Sequence, residues 1–308
     1  MIPAQQVVDL ALQAAATSGR CDETIVIVSD RAEASLRWAG NSMTTNGVSN
    51  SRTTTVIAIV RRGEAAHLGV RRSSVVNPDA IAPLVAAAED AAHAAPEAHD
   101  NAPLLTGSGE PADWDDPVPG TGVGSFAEVA RALSVGFAGT DRLYGYVHHV
   151  VETTLVATST GVRRRFTQPT GSVEINAKRG TASAWVGVST PWFIDVPIDA
   201  MLAELSTRLD WARRTVELPA GRYETLMPPS TVADMMIYLG WSMDGRGAQE
   251  GRTALSAPGG GTRVGEKLTD LALTMYSDPL APGLECAPFV HTAASSELMR
   301  MRSRQSNR

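Results

Sequence analysis

Apolar residues recur at helical spacing in some parts of this chain and at every second position in others. Residues 3–18 are Ala-rich with Val8, Ala11, Leu12 and Ala15 on one face, which predicts a first helix. The apolar run 24–29 predicts a buried strand, and the alternation over 32–38 predicts its antiparallel neighbour. Asn46-Gly47 reads as a turn. Two further strands are predicted at 53–60 and 65–70, reversing at Arg62-Gly63. Asn77 is placed to cap a helix running to about Ala95, with Pro78 at its first position and Pro83 distorting its first turns.

Residues 96–124 concentrate Pro, Gly and Asp and read as a long surface loop. Ser125 and Glu128 have the spacing of a capping box for a helix to about Gly139. From Leu143 to Val188 the pattern is that of strands, punctuated by Gly161, Gly171 and Gly180. Asp199 is placed to cap a helix with Leu202, Leu205, Leu209, Ala212 and Val216 as its apolar stripe. A strand over 222–227 then leads through Pro228-Pro229 into a helix capped by Ser230 or Thr231. Val232, Met235, Met236, Leu239 and Met243 share one face of that helix, and Asp244-Gly245 ends it. The order helix, strands, helix occurs twice without a residue-level repeat. The fold class is α+β, with antiparallel sheets packed against helices.

Composition narrows the classes of function. The chain has 308 residues, 43% of them hydrophobic, enough for one or two cores. A net charge of -6 argues against a general nucleic-acid partner. No uninterrupted apolar run is long enough for a membrane span, and the first residues lack the basic start and apolar core of a signal peptide. With Cys21 and Cys286 far apart, no disulfide framework is expected, and the expected location is cytoplasmic.

Candidate chemistry is sparse. Adjacent residues of a strand point to opposite faces, so His148 and His149 do not share a metal. His67, His93, His99 and His291 have no partner at ligand spacing. His-Glu-x-x-His, Cys-x-x-Cys and Gly-x-Ser-x-Gly are all absent. The run 258–269 ends Gly-Glu-Lys-Leu-Thr where a phosphate loop needs Gly-Lys-Ser or Gly-Lys-Thr, so Gly259 to Gly261 read as a flexible connection. Arg163 and Arg165 share one strand face opposite Arg164, either as a solvated strand or as an anionic docking patch. Trp185, Trp192 and Trp211 are expected in the core, with a peptide-binding groove as the other reading. No catalytic, metal or cofactor-binding residue is assigned.

The segment 216–279 combines a strand, a Pro turn, a helix and then Gly265-x-x-Leu268, Leu273-Thr274-Met275 and Asp278-Pro279. Together with the turn Ser159-Thr160-Gly161, it resembles the TldD/PmbA family, the "modulator of DNA gyrase" proteins. In that family the TldD type carries His-Glu-x-x-x-His on this helix and binds zinc, while the PmbA type, also called TldE, lacks those ligands. Residues 234–244 contain neither His nor Glu, so the resemblance is to the metal-free type. Asp244 and Glu250 alone do not complete a zinc site.

The resemblance implies a non-catalytic subunit whose TldD-like partner holds the zinc. Such pairs act in intracellular proteolysis or peptide maturation, on unfolded or precursor peptides. It also implies that 1–217 form the family's N-terminal α+β region and that 218–290 begin a following domain that is cut short. The Arg-rich residues 291–308 are expected not to fold. The alternatives are a stand-alone interaction protein, related to gyrase or to toxin–antitoxin pairs, and a truncated remnant without function.

Overall fold

Polar residues inside a strand pattern usually signal a break, yet β1 runs unbroken from Glu23 to Ala39. The two strands expected at 24–29 and 32–38 are one, because the polar position between them is compensated. Asp30 is buried, and Arg52 of the neighbouring strand donates to both of its carboxylate oxygens, the Nη2 bond measuring 2.6 Å. Arg52 also donates to the Ile2 carbonyl oxygen. The structure is a computed structural model describing residues 2–286 except 75–76, 99–100, 108, 195, 273, 277 and 284. It divides into one unit of Met1–Thr215 with the segment from Asp278, and a second of Val216–Ser277.

In the first unit, β1 reverses at Gly40-Asn41, not at Asn46-Gly47. Both turn residues have positive φ (60° and 65°), as a two-residue hairpin turn requires. Asn41 also donates to the carbonyls of Phe137 (3.1 Å) and Asp141 (2.9 Å), and its Oδ1 accepts from Leu143 N–H (2.5 Å). Gly47 instead lies inside β2, Met43–Arg62, opposite Ser35. β3 (Ala65–Ser73) follows the expected turn at Gly63. β4 spans Arg142–Thr158, β5 Arg163–Arg179 and β6 Ala182–Ser189. Gly161 and Gly180 turn the chain as expected, but Gly171 lies within β5. A Cβ there would sit 2.5 Å from the Thr190 carbonyl oxygen, so this glycine serves close approach and not reversal.

All six strands join one antiparallel sheet in the order β3-β2-β1-β4-β5-β6. The helices are α1 (Ala4–Ser18), α2 (Ile81–Ala94), α3 (Ala127–Phe137) and α4 (Ile198–Trp211). The repeated order seen in the sequence is present, as two halves of helix, three strands and helix that share this sheet. Val8, Ala11, Val85 and Ala88 pack on Val26, Val28, Val56 and Ala58 in one core cluster. Leu133, Ile198, Leu205 and Leu209 pack on Ala34, Val147, Val173 and Ile175 in the other. Both clusters use even residues of β1 and odd residues of β4, so all four helices cover the same face.

Helix starts depart from the expected caps. Asn77 caps a short 3₁₀ turn, Pro78–Ala80, through its side chain and Asp79 N–H (3.1 Å), and α2 follows with Pro83 in its first turn. The Ser125–Glu128 box does not form: α3 grows out of the 3₁₀ turn Val123–Phe126, and Glu128 pairs with Arg131. In α4, Asp199 lies in the first turn behind Pro197. The buried stripe is Ile198, Met201, Leu205 and Leu209, while Val216 lies exposed beyond the helix.

The second unit holds α5 (Pro229–Ser242) and the five-residue α6 (Gly245–Gln249). No side chain caps α5, and none of its residues is buried. Asp244 caps α6 through Gly247 N–H (2.9 Å), so Asp244-Gly245 begins a helix where an end was expected. The strand expected over 222–227 is absent. Extended chain becomes a strand only when another backbone takes its N–H and C=O groups, and no described segment does so here. Gly259 to Gly261 close a tight reversal bridged by Ser256 and Thr262, not a loose connection.

Two substitutions test this packing. Arg52→Ala leaves the Asp30 carboxylate buried without its cation and is expected to remove about 3–5 kcal/mol of stability. The double change Asp30→Leu with Arg52→Met should cost less than the single one, as read by urea unfolding. At Gly69, a Cβ would lie 2.0 Å from Ala88 O and 2.2 Å from Ala92 N, so α2 rests on bare backbone. Gly69→Ala is expected to cost about 1–3 kcal/mol, read in the same way.

Candidate functional site

Because the helices cover one face, the odd residues of β1 and the even residues of β4 and β5 form a second face that carries no helix among the described residues. The register stacks Ser35, His148 and Ser172 in one row, and Arg37, Tyr146 and Glu174 in the next. His148 Nε2 donates to Glu33 Oε1 at 2.9 Å, and Arg31 reaches Glu33 (3.1 Å) and Glu152 (3.5 Å). The His148 hydrogen bond first, then that from Arg31, holds the Glu33 carboxyl below its ordinary range. Tyr146 donates its hydroxyl to Glu174 Oε1 (2.6 Å), which with burial pushes the phenol up. Trp185 Nε1 donates to Glu174 Oε2 (3.3 Å). Arg37 lies over the Tyr146 ring (5.9 Å) and Lys178 over the Tyr144 ring (5.4 Å). The face is thus a lattice of compensated charges with aromatic rings between them.

His149 sits on the opposite side, as alternation requires. Its ring is buried, with Nε2 2.8 Å from the Pro191 carbonyl oxygen and Nδ1 2.7 Å from Thr121 Oγ1. A carbonyl only accepts, so Nε2 carries the proton and Nδ1 accepts from the threonine hydroxyl. Phe193 meets the ring edge-on at 5.3 Å. Burial pushes the imidazole below its ordinary value of 6.5.

A cleft of about 840 Å³ lies between α1 and the Thr158–Gly161 turn, with Cys21, Thr24 and Arg163 in its wall. The Ser-Thr-Gly turn is well tied: Ser159 Oγ accepts from Thr24 N–H (3.0 Å) and Thr160 donates to the Leu105 carbonyl (2.7 Å). Burial, the largest influence on it, raises the Cys21 thiol, keeping it protonated. Arg163 lies over Trp114 (5.8 Å) and 3.7 Å from Asp9, while Arg165 donates to the carbonyls of Asp113 and Pro117. These two arginines do share a face, and both hold the protein's own chain.

His67 and His93 bond to the backbone oxygens of Ala95 and Arg20, both at 2.8 Å. His99 and His291 lie outside the described residues. Trp185, Trp192 and Trp211 are 40%, 54% and 70% exposed, which overturns their expected place in the core. Among the described residues, no three of His, Cys, Asp and Glu come together as metal ligands. No helix among them is long and apolar enough to cross a membrane. Glu33, Tyr146 and Glu174 were not legible as a group, since only long-range register brings them together.

A neutral His149 makes stability depend on pH in a defined direction. Below about pH 6.5 the unfolded ring takes a proton that the folded ring resists, so folding stability falls as the pH drops. His149→Gln should flatten this limb relative to the parent chain. Melting temperatures measured from pH 8 to pH 5 for both proteins check it.

No protein-family model and no curated protein matches this chain. Its architecture matches solved structures. TldE from Thermococcus kodakarensis is 12% identical with a TM-score of 0.50, covering 68% of this chain and 48% of its own. A candidate modulator of a DNA gyrase from Thermotoga maritima is 13% identical with a TM-score of 0.64, covering 83% of this chain and 59% of its own. A second candidate modulator, from Bacteroides thetaiotaomicron, matches at 13% and 0.64, covering 83% and 61%. This chain therefore spans about half to three-fifths of their length. The chain carries the fold that TldE and these gyrase-modulator proteins share, that of the TldD/PmbA family.

Proposed function

We propose that this chain acts as a PmbA/TldE-like, non-catalytic subunit beside a TldD-type partner that holds the zinc. The reading rests on one observation. The fold is shared with TldE, while α5, the helix that corresponds in the family motif to the zinc helix, offers Met, Ile, Tyr, Leu and Trp where His and Glu would be needed. In this arrangement the chain contributes surface and the partner contributes the metal-activated water. The substrates would be extended or unfolded peptides in the cytoplasm. The helix-free sheet face supports such a role, because it presents aromatic rings between paired charges. The names of the two bacterial structures favour a second reading, a stand-alone modulator of gyrase. With a net charge of -6, such a modulator would have to engage protein and not DNA.

The test is co-expression with a TldD-type, His-Glu-x-x-x-His protein from the same genome. The expected result is co-elution on size exclusion, with zinc in the complex, and faster cleavage of an unstructured peptide than by the partner alone. Independent elution and unchanged cleavage would overturn the subunit reading.

A further inference from the structure

The cleft beside α1 has walls of three chemical kinds. Leu12, Ala15 and Ala16 of α1 make one side apolar. The Thr158–Gly161 turn and Arg163 make another polar, and Gly109 and Glu110 of the long loop complete it. Its volume of about 840 Å³ falls within the range of small-molecule sites, roughly 300–1,000 Å³. The polar side is held in place from several directions. Ser159 N–H donates to the Thr24 carbonyl (2.9 Å), Thr158 N–H to Val162 O (3.1 Å) and Gly107 N–H to Thr160 O (3.2 Å). A Cβ on Gly161 would lie 2.3 Å from Gly107 O, so the turn and the loop are locked together. A wall fixed before binding loses little affinity to ordering.

Three groups in this wall are incompletely used. The Arg163 side chain is only 18% exposed, and its Nε is buried without a partner. Its Nη1 reaches the carbonyls of Thr158 and Val162 at 3.5 and 3.4 Å, and Nη2 lies 3.7 Å from Asp9. Such contacts are long for N–H···O bonds, which cluster near ~2.9 Å. A mostly buried cation held so weakly is costly until an anion meets it. Ser159 Oγ accepts from Thr24 N–H, and its own proton has no acceptor among the described residues. Glu110 is exposed and has no ion pair or hydrogen bond among the described residues. Asp22, also in the wall, accepts from Arg61 N–H (2.7 Å).

We infer that this cleft binds a free α-amino acid with an apolar side chain. Its carboxylate takes hydrogen bonds from the Arg163 guanidinium and the Ser159 hydroxyl, a charge-assisted arrangement. Its ammonium group meets Glu110, and its side chain lies against Leu12, Ala15 and Ala16. Glu110 and Asp22 repel a second negative charge, which selects against acidic amino acids and phosphate esters. This inference is independent of the proposed subunit role, and its test needs no partner.

Titration calorimetry of the full chain with L-leucine, L-methionine and L-phenylalanine is expected to show saturable binding of at least one. For that amino acid, the amide and the deaminated acid should each bind at least about tenfold more weakly, since each lacks one charged end. The tripeptide Ala-Ala-Leu separates amine from carboxylate and distinguishes a free amino acid from a peptide C-terminus; it should bind more weakly than L-leucine. Glu110→Gln lies on an exposed side chain, so circular dichroism should show an unchanged fold. It should weaken the amino acid by about tenfold while leaving the deaminated acid unaffected. Arg163→Gln should abolish binding of both. Failure of all three amino acids to bind, equal binding of the amide or the tripeptide, or an unchanged affinity in Glu110→Gln overturns the inference.

Discussion

The pairing of β1 with β4 is the constraint on which the rest depends. Fifteen consecutive pairs, from Ile25 opposite Thr158 to Ala39 opposite Tyr144, join two three-stranded halves into one sheet. Register transmits parity: once Val28 faces α1, its partner Leu155 faces the same way, and so does every second residue outward. The helices of both halves are thereby forced onto one face. Separated, each half would leave a long strand with a row of unpaired backbone groups and a three-stranded sheet of marginal size. The same parity leaves the other face without a described helix: Ile25, Ile59 and Val156 pack there with Leu104, and Glu33, His148, Tyr146 and Glu174 meet further along it.

That face shows how far local pattern reaches. Alternation alone placed His148 and His149 on opposite sides, and the hydrogen bonds of each confirm the division. Alternation says nothing about the partner, and His148 finds Glu33 across 115 positions of sequence. The same limit explains the long strands. Asp30 and Arg31 looked like an interruption, since a buried carboxylate is costly unless a cation meets it. The cation comes from Arg52, and only tertiary pairing reveals it. At the hairpin both Gly40-Asn41 and Asn46-Gly47 have turn chemistry. The choice falls to the first because Asn41 in its left-handed conformation also ties down Phe137, Asp141 and Leu143.

Expectations about burial failed in a consistent direction. Periodicity identifies a helix and its apolar stripe, but not whether anything lies against that stripe. In α5 the apolar residues run around the helix, with Ile237, Tyr238 and Trp241 joining the Val232–Met235 side, and all of these are exposed. A helix apolar on all sides is normally an interior one. The tryptophans miss their expected place for a related reason: Trp185 stands on the helix-free face of β6, and its indole is used to hold Glu174.

The protonation states bear on what kind of chemistry this surface supports. An acid–base group works best when its pKa lies near the operating pH. The shifts on this unit run the other way. His148 and Arg31 hold Glu33 as a carboxylate, Arg179 does the same for Asp141, Glu174 keeps Tyr146 a phenol, and burial keeps His149 neutral and Cys21 a thiol. Each environment fixes one protonation state at neutral pH instead of poising the group between two. Groups so fixed present a constant pattern of donors, acceptors and charge, which is what recognition of a partner requires and proton transfer does not. That is the physical ground on which the proposed role of this part of the chain, as a recognition surface, rests.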